Sequence, residues 1–404
     1  MAKKLSRRDF LKLSGSSSLM VLLSQSNIGK ALALGTQEEA TISSVHLNAF
    51  NPNDMLAAEA VKETFRAATD LSWLNEGDTV FVKVASNSPY NPPAVTSPAA
   101  VTGVVELLLE AGAGTVYVGD MSGAIYVRHL AEDGFGSTRE SMRSNGILMA
   151  AEDAGAEIHC FEEVPFEEAY VAGIPSIAHN WGEELEVAKI LDEVDHIINL
   201  PRLGKHVLAG ATLGLKNAVG WISDYSRMVL HRDASTFHEK IAEINAIPQI
   251  ADKTRLTLTL ANIVLTTDGP DSGYRLSLNP VLIIASEDVV SHDQVALLTL
   301  LWARRQLSQE ALSSDLYPAG SSGSNKWFVQ SVWHESAEDL PVFDDLAEAN
   351  ALTHINYAYE ILNGGRPDLI EVVPAGIELD NLLATMLTER PELNIMIREI
   401  ETQA

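Results

Sequence analysis

Two β-branched or apolar runs with a helical pattern between them constrain the chain more than any other feature. Asp78-Thr-Val-Phe-Val-Lys-Val84 reads as a strand. A helix starts at Ser97-Pro98, with proline in its first position, and runs through Val101, Val104, Leu107 and Leu108 to Gly112. Thr115-Val-Tyr-Val118 is a strand again, and Gly119-Asp-Met-Ser-Gly123 follows it. Strand, helix and strand in this order predict an α/β fold with a mostly parallel sheet flanked by helices. In such sheets ligands bind beyond the carboxyl ends of the strands. Four loops qualify, after Val84, after Val118, after Leu200 and after a strand near Leu256 to Leu265.

Further elements extend the pattern. Thr41 to Phe50 is a first strand, and Asp54 caps a helix carrying Leu56, Ala60, Phe65 and Ala68. Residues 138–154 read as one helix, 156–161 as a strand, and Glu183 to Leu191 as a helix feeding the run His196-Ile-Ile-Asn-Leu200. Helices are expected at Ser235 to Ile247, at Asp288 to Arg305, over 340–363 and from Leu379. Strands are expected at Val281 to Ala285 and near Ile370 to Val373. Ser313 to Asn325 is Gly/Ser-rich and reads as an exposed loop.

The N-terminus carries a targeting pattern. Lys3, Lys4, Arg7, Arg8 and Lys12 form a basic head, and Ser6-Arg-Arg-Asp-Phe-Leu-Lys12 resembles the bacterial twin-arginine export motif. An apolar, Ser- and Gly-containing segment leads to Ala31-Leu-Ala33, an A-x-A cleavage pattern. The segment is too short and polar for a stable membrane anchor. Residues 1–33 are therefore expected to be a signal peptide. Residues 34–404 form a single α/β domain, exported to the periplasm or the extracellular space, with the twin-arginine machinery as a partner.

Residues 1–33 hold six basic residues and one acid, so the net charge of −27 becomes −32 for the remainder. That acidity argues against nucleic-acid binding and for solubility. Cys160 is the only cysteine, which excludes an internal disulfide and an iron–sulfur cluster on four cysteines of this chain.

Against this background two stretches stand out. Residues 79–105 and 196–223 contain no Asp or Glu, yet they carry Lys83, Arg202, Lys205, His206 and Lys216. Lys83 lies inside a buried-looking strand, where an unpaired ammonium is costly, so it must meet a carboxylate or an anionic ligand. The pattern predicts an electropositive pocket in an acidic shell, suited to a carboxylate or phosphate. Ser97, Thr212 and backbone N–H groups at helix starts would add donors.

Other motifs fail. Gly112-Ala-Gly114 precedes its strand and lacks the third glycine of a dinucleotide loop. There is no P-loop and no G-x-S-x-G elbow. His238-Glu239 and His334-Glu335 lack the second histidine of a zinc helix.

The blocks Val82-Lys-Val84, Val95-Thr-Ser-Pro98, Val116-Tyr-Val-Gly-Asp120 with Ser122-Gly123, Asn199-Leu-Pro201, His206 and Thr212-Leu-Gly-Leu-Lys-Asn-Ala-Val-Gly220 resemble the family catalogued as domain of unknown function 362. Gly269-Pro270, Ala285-Ser286, Asp288 and Asp293 complete the likeness, which covers about residues 42–305 and leaves a helical C-terminal extension. Where that family has Lys-Thr-His, this chain has Gly204-Lys205-His206, and Leu260 replaces a common acid.

Three functions stay open. In an enzyme acting on a small anion, Lys216 and Lys83 bind the substrate and His206 moves protons. Asp120 or Asp268 then orients His206 or holds a metal, and Ser122, Thr212 and Asn217 add contacts. Asp120, Asp268 and Asp293 around His206 in an open site would instead suit a divalent cation. A non-catalytic binding or accessory protein of a periplasmic redox or metal system uses the same residues only to bind. In a structural role the lysines are buried ion-pair partners.

Overall fold

The structure is a computed structural model that describes residues 40–182, 185–313, 330–333 and 343–398. The expected signal peptide and most of the Ser313 to Asn325 loop lie outside these residues.

One eleven-stranded sheet organises the chain. Its strands are β1 (Ile42–Phe50), β2 (Thr79–Val84), β3 (Thr115–Asp120), β4 (Glu157–Cys160), β5 (His196–Leu200), β6 (Gly204–His206), β7 (Gly210–Thr212), β8 (Thr254–Leu265), β9 (Arg275–Ser286), β10 (Leu369–Gly376) and β11 (Ile395–Ile397). The spatial order is β11-β10-β1-β9-β8-β5-β2-β3-β4, with the hairpin β6–β7 attached to the end of β8. Along this path only β9 runs against its neighbours, so the sheet is mostly parallel, as the alternation predicts. Central strands are largely buried because both faces are covered, and the polar residues they carry, such as Lys83 and Asn199, are buried with them.

The principal helices are α1 (Ala57–Ala68), α2 (Pro98–Glu110), α3 (Thr138–Asn145), α4 (Ile147–Ala154), α5 (Gly214–Asn217), α6 (Asp224–His231), α7 (Phe237–Asn245), α8 (Val289–Arg304), α9 (Leu346–Leu352), α10 (Ile355–Asn363) and α11 (Asn381–Thr388). Helices α1, α2 and α4 cover one face through Val61, Phe65, Val104 and Leu108, packed on Val82, Ile198 and Ile283. The other face carries two cores. One gathers α8 to α11 over β1, β9 and β10, and the other gathers α6 and α7 over β2 and β5. Helix α8 is buried on every side from Val290 to Arg304, so it lacks the polar stripe of a surface helix. Its N-cap is Asp288, which accepts hydrogen bonds from the Val290 and Ser291 N–H groups. Among the described residues no helix is long and apolar enough to cross a membrane.

Several elements differ from the sequence reading. The first helix is capped by Leu56, which is exposed, and not by Asp54. The segment 138–154 is two helices, broken where Gly146 takes a left-handed conformation. The described part of the expected helix Glu183 to Leu191 is instead a strand, Glu186–Ala188, paired with Tyr170–Ala172 and followed by one turn at Ile190–Glu193. Tertiary pairing overrides the helix propensity of Glu, Leu and Ala there. The described part of the 340–363 segment holds two helices, α9 and α10.

Candidate functional site

The four loops named from the strand order meet at the carboxyl end of the parallel strands. The loop after β2 reaches the loop after β3 through the Gly123 N–H, which donates to the Asn87 carbonyl (2.9 Å), and the Ser122 hydroxyl, which donates to the Ser86 carbonyl (2.6 Å). Asn87 Nδ2 donates to Asp271 Oδ1, and the Tyr126 hydroxyl to Asp271 Oδ2 (3.2 Å), which brings in the loop after β8. After β5, the Arg202 guanidinium donates to the Pro93 carbonyl (2.9 Å). The β8 loop settles on the β6–β7 hairpin at Gly269, where a Cβ would lie 2.0 Å from the Lys205 carbonyl oxygen and the φ of +81° is left-handed.

Beneath these loops lies a closed ion pair. Lys83 Nζ is 2.8 Å from Asp120 Oδ1 and donates to the Val84 carbonyl (2.7 Å), with the Trp221 ring centroid 5.8 Å away. Asp120 Oδ2 accepts from the Ser86 N–H (2.7 Å). Burial lowers the Lys83 pKa despite Asp120. Gly220 roofs the pair, since a Cβ there would sit 2.3 Å from both Asp120 Oδ1 and Lys83 Nζ. The carboxylate demanded by Lys83 is therefore Asp120, and Asp120 is engaged with Lys83 and Ser86 rather than with His206.

Asn217 tethers α5 to the same strands, donating to the Lys83 carbonyl (3.0 Å) and to Asn199 Oδ1 (2.8 Å). Gly220 and Trp221, just after α5, stand over the Lys83 side chain. The start of α5 is occupied, because Asp293 accepts from the Gly214 (2.7 Å) and Leu215 (2.8 Å) N–H groups and pairs with His292 (2.8 Å). Asp293 is spent on this helix end. Among the described residues, no three His, Cys, Asp or Glu side chains group as metal ligands. Ser122 ties loops together, also accepting an Arg227 bond at its carbonyl (2.7 Å). Thr212 Oγ1 accepts from Arg202 (3.4 Å). Ser97 makes no side-chain cap. Asp268 is buried with φ of 58° in the β8 loop, and Lys205 lies over the Phe343 ring.

Lys216 is different. It is partly buried, and among the described residues its amine has no hydrogen-bond or ion-pair partner. Burial, with Arg202 and Arg227 nearby, brings its pKa down to about 7, against the opposing pull of Asp271. Around it stand neutral imidazoles. His206 is buried, with Nδ1 accepting the Leu208 (3.1 Å) and Ala209 (3.2 Å) N–H groups, and burial and Lys216 push its pKa well below the ordinary value. The hairpin's own backbone therefore orients this ring. His231 is pulled down to about 4 by burial and by Lys216, and its Nδ1 meets the Arg227 carbonyl (2.7 Å). Arg202 is itself lowered to about 10 by burial. On the far side Asp271, raised by burial, is the acid facing Arg202.

The structure brings together His206, Lys216 and Arg202, and adds Asp271 and Tyr126. Asp271 directly follows Gly269-Pro270, so the turn Gly-Pro-Asp-Ser-Gly was the available signal; nothing in the sequence marks Tyr126. A cavity of about 740 Å³ lies toward the amino ends of the parallel strands, lined among others by Ser43, Thr254, Asp288, Asn199 and Trp221.

The family model described as Domain of unknown function (DUF362) matches residues 80–297, more than half of the chain. A thylakoid-associated protein of Synechocystis sp. is 28% identical over 180 residues, which are 43% of this chain and 49% of that protein, so the chain spans about half the length of this curated relative. Among solved structures, a Thermotoga maritima protein gives a TM-score of 0.39 at 14% identity, covering 84% of this chain and 90% of its own. The lactate racemase apoprotein of Thermoanaerobacterium thermosaccharolyticum gives 0.37 at 11% identity, with 87% of each chain covered.

Proposed function

The chain belongs to the family described as Domain of unknown function (DUF362), and we propose that this member binds a small anion, a carboxylate or phosphate, at Lys216. The observation that carries the reading is the lone amine of Lys216 in a setting of Arg202, Arg227 and depressed imidazoles. An arriving anion supplies the missing negative charge and returns a proton to the amine. The same amine, close to half protonated at neutral pH, is suited to give or take a proton beside a neutral His206, which supports an enzymatic role. Lys83, Asp120, Ser122 and Asn217 serve this site by fixing the loops and α5.

The motif Ser6-Arg-Arg-Asp-Phe-Leu-Lys12 and the cleavage pattern Ala31-Leu-Ala33 support export by the twin-arginine route to the periplasm or beyond. Titration calorimetry with inorganic phosphate and with acetate, in buffers of different ionisation enthalpy, tests the binding. Binding with proton uptake above neutral pH, lost in Lys216→Met, is expected. Absence of binding by either anion, or unchanged binding by the variant, overturns the reading.

A further inference from the structure

We propose that the anion is a small dicarboxylic acid, whose second carboxyl group is received by His354 and His238. This deepens the anion reading and rests on it.

His354 stands at the start of α10, outside the family-matched segment, and only 1% of it is exposed. Among the described residues both of its ring nitrogens are buried without a hydrogen-bond partner, and so is His238 Nδ1 on α7. Buried polar groups of folded proteins are nearly always paired, so three orphaned nitrogens in one neighbourhood mark a place built for a partner. A neutral imidazole offers one donor and one acceptor, and a carboxyl group can answer both.

The placement connects these rings to Lys216. Helix α7 packs against both α10 and α5. His354 lies within electrostatic reach of both His238 and Lys216. Arg202 and Asp271 approach Lys216 from the β5 and β8 loops, so the histidine pair and the arginine belong to different elements around the one amine.

Charge selects two acidic groups rather than one. Arg227 is answered by Asp224 (3.9 Å) and Arg202 faces Asp271. That leaves His206, His238 and His354 as imidazoles kept neutral chiefly by burial, beside the Lys216 amine whose pKa burial brings to about 7. One negative charge restores the proton of Lys216. A second, beside His354 and His238, restores another.

The test compares succinate and malonate with propionate and acetate, binding to the full chain by titration calorimetry. The wild type is expected to bind a dicarboxylate about tenfold or more tighter than the monocarboxylates. It should take up roughly one proton more with it above neutral pH. His354→Gln and, independently, the less buried His238→Gln should each remove most of that preference, leaving propionate within about twofold. Equal binding of mono- and dicarboxylates by the wild type overturns the proposal while the anion reading survives. So does a preference that persists in both variants, for the nitrogens then meet only ordered water. If no acid binds, the anion reading itself fails.

Discussion

Asp120→Asn isolates the ion pair on which the loops rest. The substitution keeps the side chain's shape and its acceptor for the Ser86 N–H, but removes the charge facing Lys83 at 2.8 Å. The Lys83 and Asp120 side chains are only 1% and 4% exposed, and Gly220 leaves no room for water to enter at that point. Breaking a buried pair by removing one partner costs about 3–5 kcal/mol. Set against a total stability of about 5–15 kcal/mol, this is a large fraction.

The variant has a second route, which gives the prediction its sign. Burial already lowers the Lys83 pKa in the presence of Asp120, and without Asp120 the lysine sheds its proton more readily. The native state then binds fewer protons than the unfolded state, whose lysine titrates near 10.4, so stability rises with pH. Urea unfolding should therefore show a penalty that shrinks as pH rises toward the unfolded value. In the double variant Lys83→Met/Asp120→Asn, part of the loss should return. A penalty below about 1 kcal/mol, or one that is constant over that rise in pH, refutes the argument that an uncompensated ammonium causes it.

Three further outcomes are expected. Asp293→Asn turns a donor toward the Gly214 and Leu215 N–H groups, now held at 2.7 and 2.8 Å. It should lower stability by about 1.5–3 kcal/mol, measured by urea midpoint. Because the Lys216 pKa lies at about 7 and anions favour its charged form, phosphate affinity should fall as pH rises through that value, and Lys216→Arg should flatten the profile. Replacing Arg7 and Arg8 with lysine should leave the protein in the cytoplasm of a producing bacterium, as measured by fractionation; undiminished export counts against the twin-arginine reading.

The strands were legible because Val80–Val84 and His196–Leu200 are buried on both faces, while Thr115–Val118 buries Val116 and Val118 in strict alternation, and all carry few residues that any other element prefers. Their order fixed which loops would meet. The segment around Glu186 was not legible, since its pairing with Tyr170–Ala172 and its bond from Ser223 come from distant residues. The helical extension hid its contribution for the same reason. His354 acquires meaning only once α7 and α10 pack together.

The acid-free stretches teach a narrower lesson than electropositivity. A window of sequence counts only the charges that are neighbours along the chain, whereas parallel strands deliver their partners from elsewhere. Asp120 answers Lys83 from the next strand, Asp271 faces Arg202 from the β8 loop, and Asp293 fills the start of α5 from α8. What an acid-free window marks first is therefore buried backbone whose counter-charges are imported. The informative residue is the base still unanswered when those imports are subtracted. Among the described residues of this stretch that base is Lys216, and its lowered pKa reports on the missing anion more directly than the absence of acids in the sequence does.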